Sequence, residues 1–355
     1  MRKEIIMRIC TIYFSPTGNT KKCVNQMAEA IFLHNEQVKN GIEHAQNRML
    51  HANDKVMPAN DKVMPANDKV MPANDKVLPA NNKVMPANDK LLPVHDRMNT
   101  ADQIIIECDC TTKDRLQKAL RCDSNISSIS NISNISNISN SKETNTLKRC
   151  FEESDFVIIG APVYGGRIPE IARKRLEMFK GCHTPCILVA SYGNRHYDDA
   201  LLEMKDMAET NGFVVKGAAA VIGRHTYGEI QVDRPNREDL EQMAAFAVNA
   251  FESREAVSWV PGNSPYKEGG KGGRFKPSTL SSCVQCGLCL RGCPADAIAE
   301  DYTVMKDKCI SCFRCVRNCP VKAKVMDTEE YLQFAADFTK KLSQRRENEF
   351  YLYKN

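Results

Sequence analysis

Short apolar runs take turns with amphipathic stretches along most of the first two-thirds of the chain, the pattern expected of alternating strands and helices. Arg8 to Phe14, Gln103 to Glu107, Asp155 to Gly160, Cys186 to Ala190 and Phe213 to Ile222 read as strands. Thr20 to His34, Ile168 to Phe179, Asp198 to Thr210 and Arg237 to Phe251 read as helices. Five such strands separated by helices predict an α/β, doubly wound five-stranded parallel sheet covered on both faces.

Two tracts break this rhythm. From Ala52 to Pro93 the phrase Ala-Asn-Asp-Lys-Val-Met-Pro repeats with small variations. Its seven-residue period invites a coiled coil, but a proline in each copy breaks a helix and the apolar pair is adjacent rather than spaced. An extended or disordered loop is expected instead. From Ile126 to Asn140 the triplet Asn-Ile-Ser repeats with a period that suits neither helix nor strand. Both tracts read as surface insertions, at 37–100 and 122–148, and loop entropy grows slowly enough with length for a fold to carry them.

The chain has 355 residues and 16 cysteines. Eight of these stand in two copies of one phrase: Cys283, Cys286, Cys289 and Cys293 before Pro294, then Cys309, Cys312, Cys315 and Cys319 before Pro320. Three thiolates spaced in this way wrap one corner of a 4Fe-4S cube, and the fourth reaches the other cluster. The spacing therefore predicts two 4Fe-4S clusters, one on Cys283, Cys286, Cys289 and Cys319, the other on Cys309, Cys312, Cys315 and Cys293. Zinc sites or a disulfide framework fit less well, since each run holds four cysteines and no histidine. Gly287 and Gly292 let backbone N–H groups approach the sulfurs, and Ala295, Ala297 and Ile298 supply compact packing.

No run of residues is long and apolar enough to span a membrane. Met1 to Met7 imitates a signal peptide only superficially, because Arg8 interrupts it, and reads as the approach to a strand with Met7 an alternative start. So many cysteines with no export signal suit a reducing compartment, and a cytoplasmic location is expected.

Directly after the first strand comes Ser15-Pro16-Thr17-Gly18-Asn19-Thr20, opening the first helix. Hydroxyls and free N–H groups at a helix N-terminus make a phosphate cradle. The segment lacks both the Gly-Lys-Ser/Thr of nucleoside triphosphatases and the Gly-x-Gly-x-x-Gly of dinucleotide folds, so a terminal monophosphate is the expected guest.

This loop resembles the FMN-phosphate loop of flavodoxins, which implies that Ser15, Thr17, Gly18, Asn19 and Thr20 hold the FMN phosphate. Two more loops follow strands at the same sheet edge, Pro162-Val163-Tyr164-Gly165-Gly166 and Tyr192-Gly193-Asn194-Arg195. By the same resemblance they embrace the flavin ring, with Tyr164 and Tyr192 stacked on or edging it. Outside the two repeat tracts the whole chain resembles the flavodoxin and ferredoxin fusion proteins of anaerobic bacteria, the EFR family of ferredoxins. That resemblance implies a flavodoxin-like FMN-binding domain over 1–257, a linker over 258–280, a small α+β ferredoxin-like domain carrying two 4Fe-4S clusters over 281–327, and a C-terminal helix over 328–355.

The formal charge is +5. Two clusters and a flavin phosphate would bring the holoprotein to roughly −1, so charge gives no case for nucleic acid. The expected function is electron transfer between the clusters and FMN, with a redox partner protein or a small-molecule acceptor. A flavin-dependent reductase of a quinone or flavin, and a non-redox binding protein with structural clusters, are the alternatives. Arg195 and His225 are expected near the flavin mouth, Arg195 to offset negative charge and His225 to donate a proton. Trp259 is expected to anchor the linker, the stripe Tyr331, Phe334, Phe338 and Leu342 to pack on the protein's own surface, and the eight remaining cysteines to be ordinary thiols.

Overall fold

The computed structural model describes residues 7–53, 103–121 and 149–353. Most of both repeat tracts lies outside the described residues. Two compact units are present, one of residues 1–34 with 99–355 and one of residues 35–98; the account below concerns the first.

In chain order the elements are β1 (Met7–Tyr13), α1 (Asn19–Asn53), β2 (Gln103–Asp109), α2 (Lys113–Arg121), β3 (Arg149–Phe151), β4 (Phe156–Pro162), α3 (Glu170–Leu176), β5 (Phe179–Gly181), β6 (Thr184–Tyr192), α4 (Ala200–Thr210), β7 (Phe213–Ile222) and α5 (Arg237–Glu252). Then come β8 (Ser278–Thr279), α6 (Leu288–Gly292), α7 (Arg314–Arg317), β9 (Lys324–Val325), α8 (Glu329–Lys341) and β10 (Glu349–Tyr351). The central sheet runs β10-β7-β6-β4-β1-β2. Its five strands other than β10 pair in parallel in the sequential order 2-1-3-4-5, the doubly wound order of the flavodoxin-like fold.

Strands β4 and β6 are buried along almost their whole length, as a sheet covered on both faces requires. On one face β1, β4 and β6 pack against α2, α3 and α4 through Ile12, Val157, Leu188, Leu116, Leu176 and Met204. The other face takes α1 and α5. Gly160 of β4 lets α1 close on the sheet, since a Cβ there would lie 2.6 Å from Val24. That approach brings the N-terminus of α1 down to the sheet edge where β1 and β4 end.

The expected five strands are joined by a sixth. The tail from 342 onward is not helical throughout: α8 ends at Lys341, and β10 adds antiparallel to β7. A further two-stranded parallel sheet, β3 with β5, was not legible from the apolar pattern because each strand has three residues. The segment expected as a linker is a packed strap. Asp199 accepts from the backbone N–H groups of Asn263 and Lys267, Gly270 N–H donates to Tyr164 O, and Phe275 is buried. Trp259, expected to anchor the linker, is 66% exposed, with its ring edge-on to Tyr351. Among the described residues no helix is long and apolar enough to cross a membrane.

Candidate functional site

Where β1 and β4 end, the chain leaves the sheet in opposite directions, and an open sheet of this order forms its crevice at that switch point. A hollow of about 440 Å³, solvent mouth included, lies there. Pro16, Thr17, Asn19 and Thr20 line one wall, Pro162, Val163 and Tyr164 a second, and Ser191, Tyr192 and Gly193 a third. Three expected loops thus meet in one place. A fourth stretch, Arg224 to Thr226 after β7, completes the lining.

Within the first loop, Ser15 Oγ accepts from Lys21 N–H at 3.0 Å and Ser15 N–H donates to Thr111 Oγ1 at 2.8 Å. Thr20 and Ser191 share a hydroxyl hydrogen bond at 2.6 Å across the hollow's floor. Asn19 Nδ2 donates to Arg224 O at 3.0 Å, which folds the β7 loop over the start of α1. Arg224 Nε is buried without a hydrogen-bond partner among the described residues. The Arg224 Nη2 pairs with Glu229 at 3.1 Å, so on this residue that lines the hollow the buried Nε is left to seek an acceptor.

Other expected residues do different work. Asn194 is buried in the left-handed region and holds the C-terminal tail, donating from Nδ2 to Leu342 O and Gln344 O and accepting from Arg346 N–H. Arg195 pairs with Asp198 rather than facing the hollow. Gly166 turns the chain beside Asp198, and Gly165 faces Gly269 of the strap. Tyr192 is 4% exposed, with its ring against Tyr197; burial pushes its hydroxyl up to about 12, and the hydroxyl has no hydrogen-bond partner among the described residues.

His225 sits with its imidazole edge against Gly193, where a Cβ would meet Cδ2 at 2.2 Å, and its ring meets Phe338 of α8. Burial depresses its pKa to about 4. Its Nδ1 faces both Tyr227 N–H at 2.8 Å and Tyr227 O at 3.0 Å, so the Tyr227 backbone holds the ring from that side. Burial keeps the ring neutral near pH 7, which disfavours the proton-donor role expected from sequence. The stripe packs on the protein's own surface: Tyr331 and Phe334 meet Tyr227 and Phe275, Tyr331 also meets Phe313, and Phe338 meets His225 and Phe334.

The two cysteine runs share one backbone plan. Gln285, Gly287 and Asp296 have positive φ, and so do Ser311, Phe313 and Lys322 at the equivalent positions of the second run. A left-handed Phe is uncommon enough to show that the turn, not the residue, is specified. Ala297 N–H donates to Cys293 Sγ at 3.2 Å, and Ala323 N–H to Cys319 Sγ at 3.1 Å. For Cys319, burial acts upward but backbone N–H groups from 321 to 324 more than offset it, and the thiol titrates below its ordinary value.

The fourth cysteine of each run joins the other run's first three. Cys283, Cys286, Cys289 and Cys319 line one hollow of about 300 Å³, opening included, with Val284, Leu288 and Val321 around it. Cys312 lies close enough to Cys315, Cys293 and Cys309 to feel all three; burial, with their added repulsion, pushes it up to about 12. Burial does the same to Cys315. Among the described residues no three His, Cys, Asp or Glu side chains stand as ligands of one metal ion would. A cube spreads its four thiolates across its own width, so two four-cysteine sets with N–H donors to sulfur suit clusters better than single ions.

The set containing Cys312 adjoins the first hollow. Cys312 and Cys309 lie near Tyr164, whose hydroxyl is pushed well up by burial and by those thiols. Arg314 Nη1 donates to Pro16 O at 2.5 Å, Arg317 Nη2 to His225 O at 2.8 Å, and the buried Arg175 of α3 from Nη2 to Pro294 O at 2.7 Å. The sequence reading missed these arginines, because no local motif marks a side chain whose partner is a distant carbonyl.

No protein-family model matches the chain, and no curated protein does. Among solved structures it is similar to a flavodoxin from the domain Archaea, at 10% identity and TM-score 0.30, covering 69% of this chain and 97% of that one. It is also similar to the metal-soaked Flv1 flavodiiron core from Synechocystis sp. PCC6803, at 12% identity and TM-score 0.33, covering 70% of this chain and 36% of that one. The fold assignment rests on the strand order rather than on these overlaps.

Proposed function

We propose that this chain is an iron–sulfur flavoprotein that moves electrons between two 4Fe-4S clusters and an FMN. Cys283, Cys286, Cys289 and Cys319 hold an outer cluster; Cys309, Cys312, Cys315 and Cys293 hold an inner one; residues 281–327 make a ferredoxin-like domain. The loop Ser15, Thr17, Gly18, Asn19 and Thr20 takes the FMN phosphate, and Pro162, Val163, Tyr164 and Gly193 face the ring. When bound, the clusters supply single-electron transfer and the flavin exchanges one electron or two.

The observation that carries the reading is the shared wall: Tyr164 lines the switch-point hollow and lies within electrostatic reach of Cys312 and Cys309. Tyr227 lies within the same reach and packs with Phe334, which stacks on Phe338. His225 lines the hollow against Gly193, and the backbone N–H groups at Ala297 and Ala323 stabilise negative charge on sulfur. The test is an anaerobic assay of iron, sulfide and extractable flavin per chain, with a redox titration followed by absorbance and paramagnetic resonance. About eight irons and one FMN are expected. Four irons, or no flavin after reconstitution, would sink the two-cofactor reading.

A further inference from the structure

Arg314 sits between two inner cysteines and touches both sites at once. Its backbone N–H lies near the Cys312 sulfur. Its side chain donates through Nη1 to Pro16 O, within the loop that opens α1, and its Nε is buried without a hydrogen-bond partner among the described residues. At the other end of the same short helix Arg317 donates to His225 O, on a different wall of the hollow. One turn of helix thus clasps two walls of the hollow by their carbonyls.

The outer run has no such clasp. The position equivalent to Arg314 is Leu288, which is exposed, and the one equivalent to Arg317 is Arg291, whose Nη2 turns back onto Cys286 O at 3.2 Å. The repeat therefore supplies the backbone plan, and the two arginine contacts supply the connection.

We propose that Arg314 and Arg317 are positioning residues that couple filling of the inner cysteine set to binding of the anionic flavin in the hollow. The inference rests on the iron–sulfur flavoprotein reading. Four thiolates gathered on one cluster fix the run from Cys309 to Cys315, and α7 with it. The guanidinium groups then hold Pro16 and His225 in place before the ligand arrives, and they set positive charge beside the loop a phosphate would enter. With the cysteines free, the same ordering must be met at the moment of binding, which weakens it. Linkage is reciprocal, so FMN tightens retention of the inner iron by the same factor.

The experiment uses the full-length chain under anaerobic conditions and FMN itself as the probe, with affinity read from quenching of its fluorescence. The reconstituted chain is expected to bind FMN at least about fivefold more tightly than the iron-free chain. Cys312→Ala, left with four irons, loses that factor, whereas Cys286→Ala, also left with four irons, keeps it. The double variant Arg314→Met with Arg317→Met keeps eight irons but brings the ratio near one, and Arg314→Lys, which retains a donor, recovers part of it. A wild-type ratio near one, equal losses in the two cysteine variants, or an unchanged ratio in an eight-iron double variant overturns the coupling. The cysteine variants leave both arginines in place, so they decide even where the double variant loses iron. No FMN uptake in any state sinks the flavoprotein reading and the coupling with it; uptake with a ratio near one sinks the coupling alone.

Discussion

The two cysteine runs are copies in spacing and backbone, yet they live in different surroundings. In the outer set Cys286 is exposed, Val284 is 61% exposed and Leu288 48% exposed. At the equivalent positions of the inner run Cys312 is buried, Ile310 packs against the core of the sheet domain, and Arg314 reaches the loop after β1. Gly287 becomes Phe313, whose ring joins Tyr227 and Tyr331. The repeated spacing accounts for the eight cysteines, while contacts with the rest of the chain decide which set faces solvent and which faces the hollow. Under the proposed function this gives direction to the arrangement: the outer set meets a partner and the inner set meets the flavin.

Iron release should break or confirm that asymmetry with the largest effect. With a strong chelator under anaerobic conditions, four irons are expected to leave about tenfold or more faster than the other four, because loss follows local opening and the inner set is stapled by three arginines. Cys286→Ser should remove the fast phase and spare the slow one. A single phase for all the iron would erase the distinction between the sets.

Tyr164 tests the shared wall. Tyr164→Ala opens the partition between the inner cysteines and the hollow, and FMN affinity is expected to fall about tenfold or more, or roughly 1.4 kcal/mol. Tyr164→Phe keeps the ring and should stay near wild type, and neither change should touch the outer iron. An unaltered FMN titration for the alanine variant would show that the two sites do not share this side chain.

Much of this arrangement was legible in the chain. Fully apolar strands announce a sheet covered on both faces, and the loops after β1, β4 and β6 do line one hollow, because the strand order fixes where they end. The spacing also anticipates which thiols lie near one another, Cys319 lining a hollow with the first run's three and Cys293 within reach of Cys312 and Cys309. What escaped were tertiary contacts. Nothing local says that Glu349 to Tyr351 adds a sixth strand, that Asn194 serves the tail rather than a ligand, or that Arg314 finds a carbonyl almost the whole chain away.

Asn194 offers a smaller test on the inner side. Its three hydrogen bonds to the tail are made by a buried side chain, so Asn194→Ala leaves two carbonyls and one N–H with fewer partners and should cost about 1–3 kcal/mol of stability. Chemical denaturation of the iron-free chain measures it. The tail also supplies Arg346, whose carbonyl accepts from the buried Arg234, so loosening should spread to the β7 loop and weaken FMN modestly. Outer iron release should not change; if it does, the two sides are less separate than their contacts indicate.

The smallest expected effect concerns pH and a group found only beside the inner set. Burial lowers the His225 pKa from its ordinary 6.5 to about 4; the Tyr227 backbone bond opposes this, and Arg317 and Arg195 add to it. The folded chain therefore keeps His225 neutral where the unfolded chain would protonate it. Between about pH 6.5 and pH 4 the unfolded state binds the extra proton, so this contribution to stability is complete above the window and is lost as pH falls through it. His225→Phe removes the difference while keeping a ring against Phe338. The melting temperature of the variant should fall less steeply with acid in that window by a few degrees, with little change in slope above pH 7. Equal slopes in both proteins would mean that His225 is hydrated in solution, and its packing against Gly193 and Phe338 would have to be opened in any account of how a ligand sits in the hollow.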